Sequence, residues 1–355
     1  ATADGSITFE ADGDDGYKLF INGEEAINTW TRNRMGARTY KLATKKNAVY
    51  KLVLEYYQGA GKANITLRAG NFIRTDFNAL TNRVKDADVI LYVGGISPQL
   101  EGEEMPVNAP GFDGGDRTTI QLPAVQTSMM KALYATGKPV VFIMMTGSAI
   151  ATPWESQNLP AIVNAWYGGQ SAGTAVADVL FGDYNPAGRL PVTFYKTEKD
   201  LPGFSDYSME GRTYRYFKGD ALYPFGYGLS YSTFRYGTLQ IPPTNRLNTN
   251  TTVTAVVQNT GKMAGDEVVQ LYVSYPDVKA RTPLKALKGF KRIHLKPGQT
   301  ETVQFNLTPE QLSIVNEDGK MYQPTGRVIV SIGGGQPGVT NTSTSNVISK
   351  SIVFN

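Results

Sequence analysis

The sequence predicts a multidomain protein of mixed α/β and β structure, in which an α/β domain lies between two β-rich segments. Apolar and polar residues alternate in short runs over residues 1–70 and again after about residue 245, which indicates antiparallel sheets. Between these segments, apolar runs alternate with helical patterns, which indicates a mostly parallel sheet. A chain of 355 residues is long enough for more than one domain. We predict domains at 1–70, 71–240 and 241–355.

The first segment has the period of two and the turns of an antiparallel sheet. Strands are predicted at SITFEA, GYKLFING, NAVYKLVLEYYQG and KANITLRAG, with turns at DGDDG, NGEE and GAGK. Asp14 and Asp15 in the first turn offer too few oxygen ligands for calcium, so we expect a turn and no metal. Trp30 is open between a sugar-stacking role and a packing role.

The central segment contains three nearly unbroken apolar runs, DADVILYVGG, KPVVFIMMTG and PAIVNAWYGG, of the kind buried on both faces of a parallel sheet. Between the first two, Val125, Met129, Ala132 and Leu133 follow helical spacing. SAGTAVADVLFG, after the third run, predicts a second helix with small residues for close packing. Trp166 lies within the third apolar run, and we interpret it as a core residue.

The last segment returns to a period of two in TTVTAVVQNTG, DEVVQLYVSY, ETVQFNL and RVIVSIGG, which are separated by Pro and Gly turns. This pattern predicts an antiparallel sandwich of immunoglobulin-like size, whose expected role is to brace the domain before it. The one histidine, His294, lies in KRIHLKPG. We interpret it as a structural residue at a sandwich edge, far from polar clusters.

Composition excludes several classes of function. The absence of cysteine excludes disulfides, thiolate metal sites and cysteine nucleophiles. The net charge is +4 with scattered Lys and Arg, so we expect no nucleic-acid partner. No apolar run approaches the roughly 20 residues that span a bilayer, so we expect no membrane partner. The opening ATADGSITFE lacks the features of a signal peptide, and we expect the start to be internal to a longer product.

Three carboxylates crowd the stretch LEGEEMP, at Glu101, Glu103 and Glu104. Crowding raises the pKa of a carboxyl group, which suits a proton donor working near neutral pH. The plain alternative is a solvated acidic loop. The stretch follows the predicted strand at 88–95, and open parallel sheets bind ligands beyond the carboxyl ends of their strands. This position favours the functional interpretation.

Several longer stretches carry a resemblance that spans nearly the whole chain. They are LEGEE with GGDR, WESQNLPAIVNAWYGGQSAGTAVADVLFGDYNPAGRLPVTF, YRYF with LYPFGYGLSYSTFRY, and NTGKMAGDEVVQLYVS with PLKALKGFKRIHLKPGQT. Together they resemble glycoside hydrolase family 3 of the β-glucosidase and β-xylosidase type. The last pair is similar to the fibronectin-III-like domain that closes many members. DGDDGYKLFINGE and Trp30 resemble the end of a protective-antigen-like module inserted in some members.

The resemblance implies an exo-acting, retaining β-glucosidase that releases terminal β-D-glucosyl residues from β-linked saccharides and needs no cofactor. Retention requires two carboxyl groups about 5–5.5 Å apart, one a nucleophile and one an acid/base. Family members take the nucleophilic aspartate from a (β/α)8 barrel, which this chain lacks. Ser205-Asp206-Tyr207 echoes the nucleophile motif only vaguely, and we interpret it as a decoy in a loop.

The missing barrel implies a partner. We expect this chain to be the carboxyl-terminal portion of a larger enzyme and to contact a barrel-bearing polypeptide through residues 96–117. A homodimer of the full assembly is also open. A secreted or periplasmic bacterial location is the weaker implication of the same resemblance.

The resemblance also ranks the carboxylates. Alignment from the strand side pairs Glu103 with the family's acid/base residue, so Glu103 is our first candidate. Glu101 is second and Glu104 third, with hydrogen bonds to the loop backbone or to Arg117 as their alternative role. Asp116 and Arg117 are expected to form a buried pair that shapes the loop.

Two other functions remain open at this stage. One is a β-xylosidase of the same family, and the other is a noncatalytic carbohydrate-binding or scaffold chain, which the missing nucleophile permits. A phosphorylase or hexosaminidase of the family is disfavoured, because those subfamilies commonly use a histidine in the barrel. The crowded carboxylates argue against a pure binding module.

Overall fold

The structure is a computed structural model that describes residues 1–13, 15–30, 37–59, 63–70, 77–98, 100–101, 111–113, 116–242, 244–339 and 344–355. The strands up to the end of the parallel sheet are β1 (Gly5–Gly13), β2 (Gly16–Ile21), β3 (Glu24–Asn28), β4 (Arg38–Thr44), β5 (Leu52–Tyr57), β6 (Ile65–Gly70), β7 (Ile90–Gly95), β8 (Phe112–Asp113), β9 (Asp116–Arg117), β10 (Val140–Met145) and β11 (Ala161–Asn164). The later strands are β12 (Phe234–Gln240), β13 (Thr244–Asn245), β14 (Thr251–Asn259), β15 (Gly265–Ser274), β16 (Ala286–Leu295), β17 (Thr300–Leu307), β18 (Ile314–Val315), β19 (Met321–Tyr322), β20 (Gly326–Gly333) and β21 (Val347–Phe354).

The helices are α1 (Asn78–Arg83), α2 (Ala124–Tyr134), α3 (Pro153–Asn158), α4 (Ala172–Phe181) and α5 (Thr213–Tyr216), with one 3-10 turn at Glu198–Asp200. Contacts divide the chain into two compact units, one of Ala1–Ser148 with Trp154–Tyr167 and one of Ala149–Pro153 with Gly168–Asn355. The three-domain division drawn from the sequence stays a prediction. No helix among the described residues is both long enough and apolar enough to cross a bilayer.

The first unit begins with two three-stranded antiparallel sheets, in the orders β4-β1-β6 and β3-β2-β5. Alternate residues of their strands point inward and share one core, so the antiparallel sheets predicted from the period of two are confirmed. The fully buried Tyr17 keeps its hydroxyl satisfied by donating to the carbonyl oxygen of Ala11 at 2.9 Å. The buried core residues are Phe9, Ala11, Tyr17, Leu19, Ile21 and Ile27.

The same unit contains a parallel sheet in the order β11-β10-β7, which confirms the prediction from the three apolar runs. Helix α2 is also confirmed, but the face that it buries differs from the predicted one. Met130 and Leu133 are buried, whereas Val125 is 52% exposed. Gln126, the residue after Val125, faces the sheet and exchanges two hydrogen bonds with the backbone of Gly95.

Strand β7 lies at the edge of this sheet and keeps part of its apolar surface in solvent. Leu91 and Val93, which share one face of the strand, are 49% and 67% exposed. Parallel sheets are normally covered on both faces. Among the described residues, β7 pairs with β10 alone.

The second unit contains the antiparallel sandwich predicted for the end of the chain, with sheets β12-β14-β17 and β13-β21-β20-β15-β16. The larger sheet and its partner bury two adjoining clusters of Val, Leu, Ile and aromatic side chains. Strand β12, which precedes residue 241, pairs with β14 and belongs to this sandwich.

A buried ion pair lies in the second unit. Nη2 of Arg189 is 2.8 Å from Oε2 of Glu267, and the two side chains are 6% and 0% exposed. The hydroxyls of Tyr236 and Ser345 each donate to Oε1 of Glu267 at 2.8 Å. Burial raises the pKa of Glu267, and Arg189 with the two hydroxyls offsets part of that rise. The pair joins the segment after α4 to strand β15.

Candidate functional site

The carboxyl ends of the three parallel strands meet at one edge of the sheet. At the last residue of β7, Gly95 has a φ of +126°, and a Cβ there would lie 1.8 Å from the carbonyl oxygen of Met145, so this position requires glycine. The amides of Leu100 and Glu101 then both donate to the carbonyl oxygen of Ser97, at 3.0 and 3.1 Å. This compact turn brings Glu101 back over the strand ends.

The carboxylate of Glu101 accepts hydrogen bonds at both of its oxygens. Ser148 Oγ, just past β10, donates to Oε1 at 2.5 Å, and the Tyr167 hydroxyl, just past β11, donates to Oε2 at 2.9 Å. Nη1 of Arg117 lies 3.6 Å from Oε1 and donates to Ser148 Oγ at 2.9 Å. The side chains of Glu101 and Arg117 are 17% and 16% exposed, so this polar cluster is largely enclosed.

Tyr167 is held at its hydroxyl end. That hydroxyl also lies 2.5 Å from the carbonyl oxygen of Ile96, the residue after β7. Although 40% of the Tyr167 surface is exposed, partial burial of the phenol raises its pKa to about 12, and the neighbouring Glu101 adds to the rise. Tyr167 therefore stays protonated and can donate throughout the physiological range.

Two backbone features bring Tyr167 to Glu101. Trp166 has a φ of +55°, an uncommon conformation for a bulky residue, and it turns the chain directly after β11. Gly147 leaves room for the ring, since an added Cβ would lie 2.6 Å from Tyr167 Cε2 and 3.2 Å from Glu101 Oε2. Trp166 was interpreted as a core residue of the third apolar run, but β11 ends at Asn164 and Trp166 is only half-buried, so that interpretation is wrong.

Arg117 also holds its own loop. Its Nε donates to the carbonyl oxygen of Thr119 at 3.1 Å, and Nη2 donates to that of Gln121 at 3.5 Å. Asp116 is exposed and makes no ion pair with Arg117. The expected buried pair is therefore wrong in its partner, because neighbouring strand residues point to opposite sides and Arg117 faces Glu101 instead.

Of the three candidate carboxylates, the structure describes Glu101 alone. Glu101 belongs to the cluster above, which is the supporting role that we considered for it. Glu103 and Glu104 lie outside the described residues, and their ranking stays a prediction. Sequence reasoning missed Ser148 and Tyr167, although both lie a few residues beyond an apolar run, in MTGS and NAWYGG.

Two further sequence motifs have local structural contacts of their own. Asp206 of the Ser205-Asp206-Tyr207 run is in an exposed loop, where its Oδ1 accepts from the amide of Ser208 at 2.8 Å. That hydrogen bond lowers the pKa of Asp206 and gives the residue a turn-forming role. Trp30 packs edge-on against Tyr57, with ring centroids 5.0 Å apart, which favours the packing role.

His294 lies on the edge strand β16, as expected, but it is not far from polar groups. Its Nδ1 is 2.6 Å from Oδ1 of Asp266, and Nε of Arg292 donates to Oδ2 of Asp266 at 2.6 Å. These three side chains form a surface ion-pair cluster.

No metal-binding group stands out where the structure describes the chain. Asp14 lies outside the described residues, and Asp15 accepts a hydrogen bond from the amide of Gly59. No cluster of three or more His, Cys, Asp or Glu residues is placed to hold a metal ion within the described ranges. The expectation of no metal and no cofactor stays a prediction.

Comparison with known proteins decides the family. Residues 13–231 match the C-terminal domain of glycosyl hydrolase family 3, and residues 267–336 match a fibronectin type III-like domain. The chain belongs to glycoside hydrolase family 3. The first match covers more than half of the chain, and it includes the whole cluster around Glu101.

Individual relatives of this family 3 chain carry two kinds of name. A xylan 1,4-beta-xylosidase of Xylanibacter ruminicola is 44% identical over 83% of this chain and 34% of its own length. A periplasmic beta-glucosidase of Salmonella typhimurium is 38% identical over 70% of this chain and 33% of its own length. The chain thus spans about a third of the length of these relatives.

A solved relative shares the fold over the full length of the chain. The structure of the beta-glucosidase of Kluyveromyces marxianus superposes on this chain with a TM-score of 0.72 at 27% sequence identity. The superposition covers 100% of this chain and 44% of that structure. The arrangement of sheets described above is therefore that of family 3 proteins. The protective-antigen-like module stays a prediction.

Proposed function

We propose that this chain is the carboxyl-terminal part of an exo-acting, retaining β-glycosidase and supplies the general acid/base of the reaction. The observation that carries the proposal is a carboxylate-rich segment at the carboxyl end of β7, in a chain of glycoside hydrolase family 3. In the proposed mechanism, an aspartate on a barrel-bearing part attacks the anomeric carbon. The acid/base protonates the leaving oxygen and then deprotonates the attacking water.

Glu103 is the proposed acid/base. Glu101 has both oxygens occupied by Ser148 and Tyr167, with Arg117 close by, so it is poorly placed to give a proton to substrate. Glu103 lies two residues further along the same carboxylate-rich stretch of sequence. The engagement of both Glu101 oxygens supports the first-ranked candidate over the second.

The sugar is a proposal with two candidates. We inferred β-D-glucosyl residues from the sequence resemblance. β-D-Xylosyl residues are the second candidate, because relatives 44% and 39% identical to this chain are named as xylosidases. The deciding assay compares kcat/KM of the full assembly on aryl β-glucoside and aryl β-xyloside. A ratio above about tenfold either way assigns the sugar, whereas inactivity on both rejects the glycosidase proposal.

Glu103→Ala in the full assembly tests the acid/base. A positioned proton donor contributes about 10²–10⁴-fold, so turnover of an unactivated disaccharide should fall by that factor. An activated aryl glycoside should lose less in the first step and accumulate the covalent intermediate, since water then lacks a base. Added azide, which needs no deprotonation, should restore turnover and give a β-glycosyl azide.

Glu104→Ala is the matched control, because it removes a neighbouring carboxylate of the same loop. It should lower activity without azide rescue. If azide rescues Glu101→Ala or Glu104→Ala and not Glu103→Ala, the assignment is wrong and the mechanism stands. If azide rescues none of the three, the loop does not supply the donor.

Location and partner follow from the same proposal. One relative is named as a periplasmic enzyme, which supports a secreted or periplasmic location. The relatives extend over about three times the matched length, which supports a barrel-bearing part of the same enzyme as the partner. Intact mass under native and denaturing conditions tests this, since a single 38.7 kDa species active as purified contradicts it.

A further inference from the structure

One carboxylate connects the ends of all three parallel strands. Glu101 lies beyond β7, Ser148 beyond β10 and Tyr167 beyond β11, and the Tyr167 hydroxyl reaches back to Ile96 at the end of β7. Hydrogen bonds thus link Ile96 to Tyr167, Tyr167 to Glu101, and Glu101 to Ser148.

The Tyr167 hydroxyl has a single proton and two acceptors. It lies 2.5 Å from the carbonyl oxygen of Ile96 and 2.9 Å from Oε2 of Glu101. A phenol donates one hydrogen bond, so the two acceptors share it. Removing this hydroxyl therefore removes the donor to a carbonyl just before LEGEEMP and to a carboxylate within it.

The backbone is arranged to keep Tyr167 in this place. Trp166 holds a left-handed φ of +55°, and such strain persists only where the surrounding structure over-determines it. Gly147 provides the space that the Tyr167 ring occupies. The strained backbone of Trp166 and the space at Gly147 both place Tyr167, whose hydroxyl contacts Ile96 and Glu101 at the base of the carboxylate loop.

We propose that Tyr167 and Glu101 are positioning residues that fix the base of the acid/base loop to the ends of β10 and β11. The inference rests on the proposed function of Glu103, which lies two residues beyond Glu101. Tyr167 touches neither substrate nor the reacting atoms in this scheme. It acts through Glu101 on the geometry of the donor.

Tyr167→Phe in the full assembly is the main test. A displacement of about 1 Å at a reacting group can cost roughly 10²-fold, so kcat on an unactivated disaccharide should fall about 10- to 100-fold. An activated aryl glycoside depends less on protonation and should lose less in its first step. KM should change little, and azide should give no rescue, because the base is displaced and not removed.

Tyr134→Phe is the matched control. Tyr134 is 45% exposed on α2, and its ring packs edge-on against Trp154. The substitution removes a hydroxyl of the same unit without touching the cluster, and kinetics should stay within about twofold of the parent. If Tyr167→Phe behaves like this control, the positioning role is wrong.

Glu101 separates positioning from proton donation. In Glu101→Gln, the amide oxygen can still accept from Ser148, and the amide nitrogen can donate to Tyr167, which then donates to Ile96 alone. We expect a loss of no more than about fivefold, from the weakened pairing with Arg117. Glu101→Ala should lose at least as much as Tyr167→Phe. If Glu101→Gln loses as much as Glu101→Ala, the carboxylate itself is needed and the positioning role is wrong.

Hydrogen exchange distinguishes failure of this inference from failure of the proposed function. The amides of Leu100 and Glu101 are bonded to Ser97, and loss of the Tyr167 hydroxyl should raise their exchange rates about tenfold. Faster exchange with no azide rescue of Glu103→Ala would reject the donor assignment while keeping the loop anchor. Unchanged exchange and kinetics in Tyr167→Phe, with normal azide rescue of Glu103→Ala, would reject the anchor alone.

Discussion

Two arginine–glutamate pairs in this chain have different surroundings. In the second unit, Arg189 and Glu267 are 2.8 Å apart and almost fully buried, and two hydroxyls complete the partners of the carboxylate. At the strand ends of the first unit, Arg117 and Glu101 are 3.6 Å apart and partly exposed. Glu101 takes its short hydrogen bonds from Ser148 and Tyr167.

The difference shows how the same pair of residue types serves two purposes. A buried charge needs every partner, because each missing one leaves an uncompensated charge in a poorly polarisable interior. The Arg189–Glu267 pair meets that condition and joins two segments rigidly. The Arg117–Glu101 pair keeps some solvent contact, and its carboxylate takes hydrogen bonds from Ser148 and Tyr167, so its loss should change geometry and activity more than folding.

Glu267→Ala should give the largest loss of stability. It leaves Arg189 buried without its carboxylate, which costs about 3–5 kcal/mol in the free energy of unfolding. Urea unfolding followed by circular dichroism measures the change. Glu301→Ala, at an exposed position of β17, is the control and should stay within about 0.5 kcal/mol. A loss below about 1 kcal/mol for Glu267→Ala would show that the buried Arg189–Glu267 pair contributes no more to stability than an exposed pair.

Gly147→Ala should have an intermediate effect, divided between stability and activity. The added Cβ would lie 2.6 Å from the Tyr167 ring, and such overpacking costs about 1–3 kcal/mol. Because the ring must move away from Glu101, kcat of the full assembly should fall about tenfold or more. Gly169→Ala, where an added Cβ meets no atom within 4 Å, is the control for both measurements. If Gly147→Ala keeps full activity, the position of the Tyr167 ring does not matter for catalysis.

Asp266→Asn should have the smallest effect and depend on pH. Partial burial opposes ionisation of Asp266, but hydrogen bonds from His294 and Arg292 outweigh it and lower the pKa of Asp266. A lowered pKa stabilises the fold above the ordinary aspartate value of about 3.9, and the benefit disappears as pH falls through the folded-state pKa.

At pH 7 the parent should therefore exceed Asp266→Asn by no more than about 1 kcal/mol, as exposed pairs do. The difference should shrink in acid and in about 1 M salt. Thermal unfolding of the parent and the variant, at neutral and acid pH and at low and high salt, measures both changes. A gap that widens as pH falls would mean that the sign of the pKa shift is wrong.

The sequence predicted what depends on local period and failed where contacts are distant. The three parallel strands and helices α2 and α4 follow from apolar patterning, and all are present. Strands β3 and β4 were missed, because EEAIN and RTYKLAT carry weak apolar alternation and gain their place from pairing with β2 and β1. Local pattern cannot show that pairing.

The same limit explains the site. Glu101, near the start of LEGEEMP, lies beyond β7 as expected, since its position follows from the order of the chain. The meeting of Glu101 with Ser148 and Tyr167 depends on parallel strand register, which brings together residues 47 and 66 positions apart in sequence. The turn at Trp166 was hidden because its apolar character matched the strand before it.

The exposed face of β7 has a consequence for handling the chain alone. Leu91 and Val93 lie in solvent beside an edge that the described strands leave unpaired. Long apolar edges template pairing with further copies and promote aggregation. Production of this chain by itself should therefore favour insoluble material. A charged residue in place of Val93 should keep more of the chain in the supernatant.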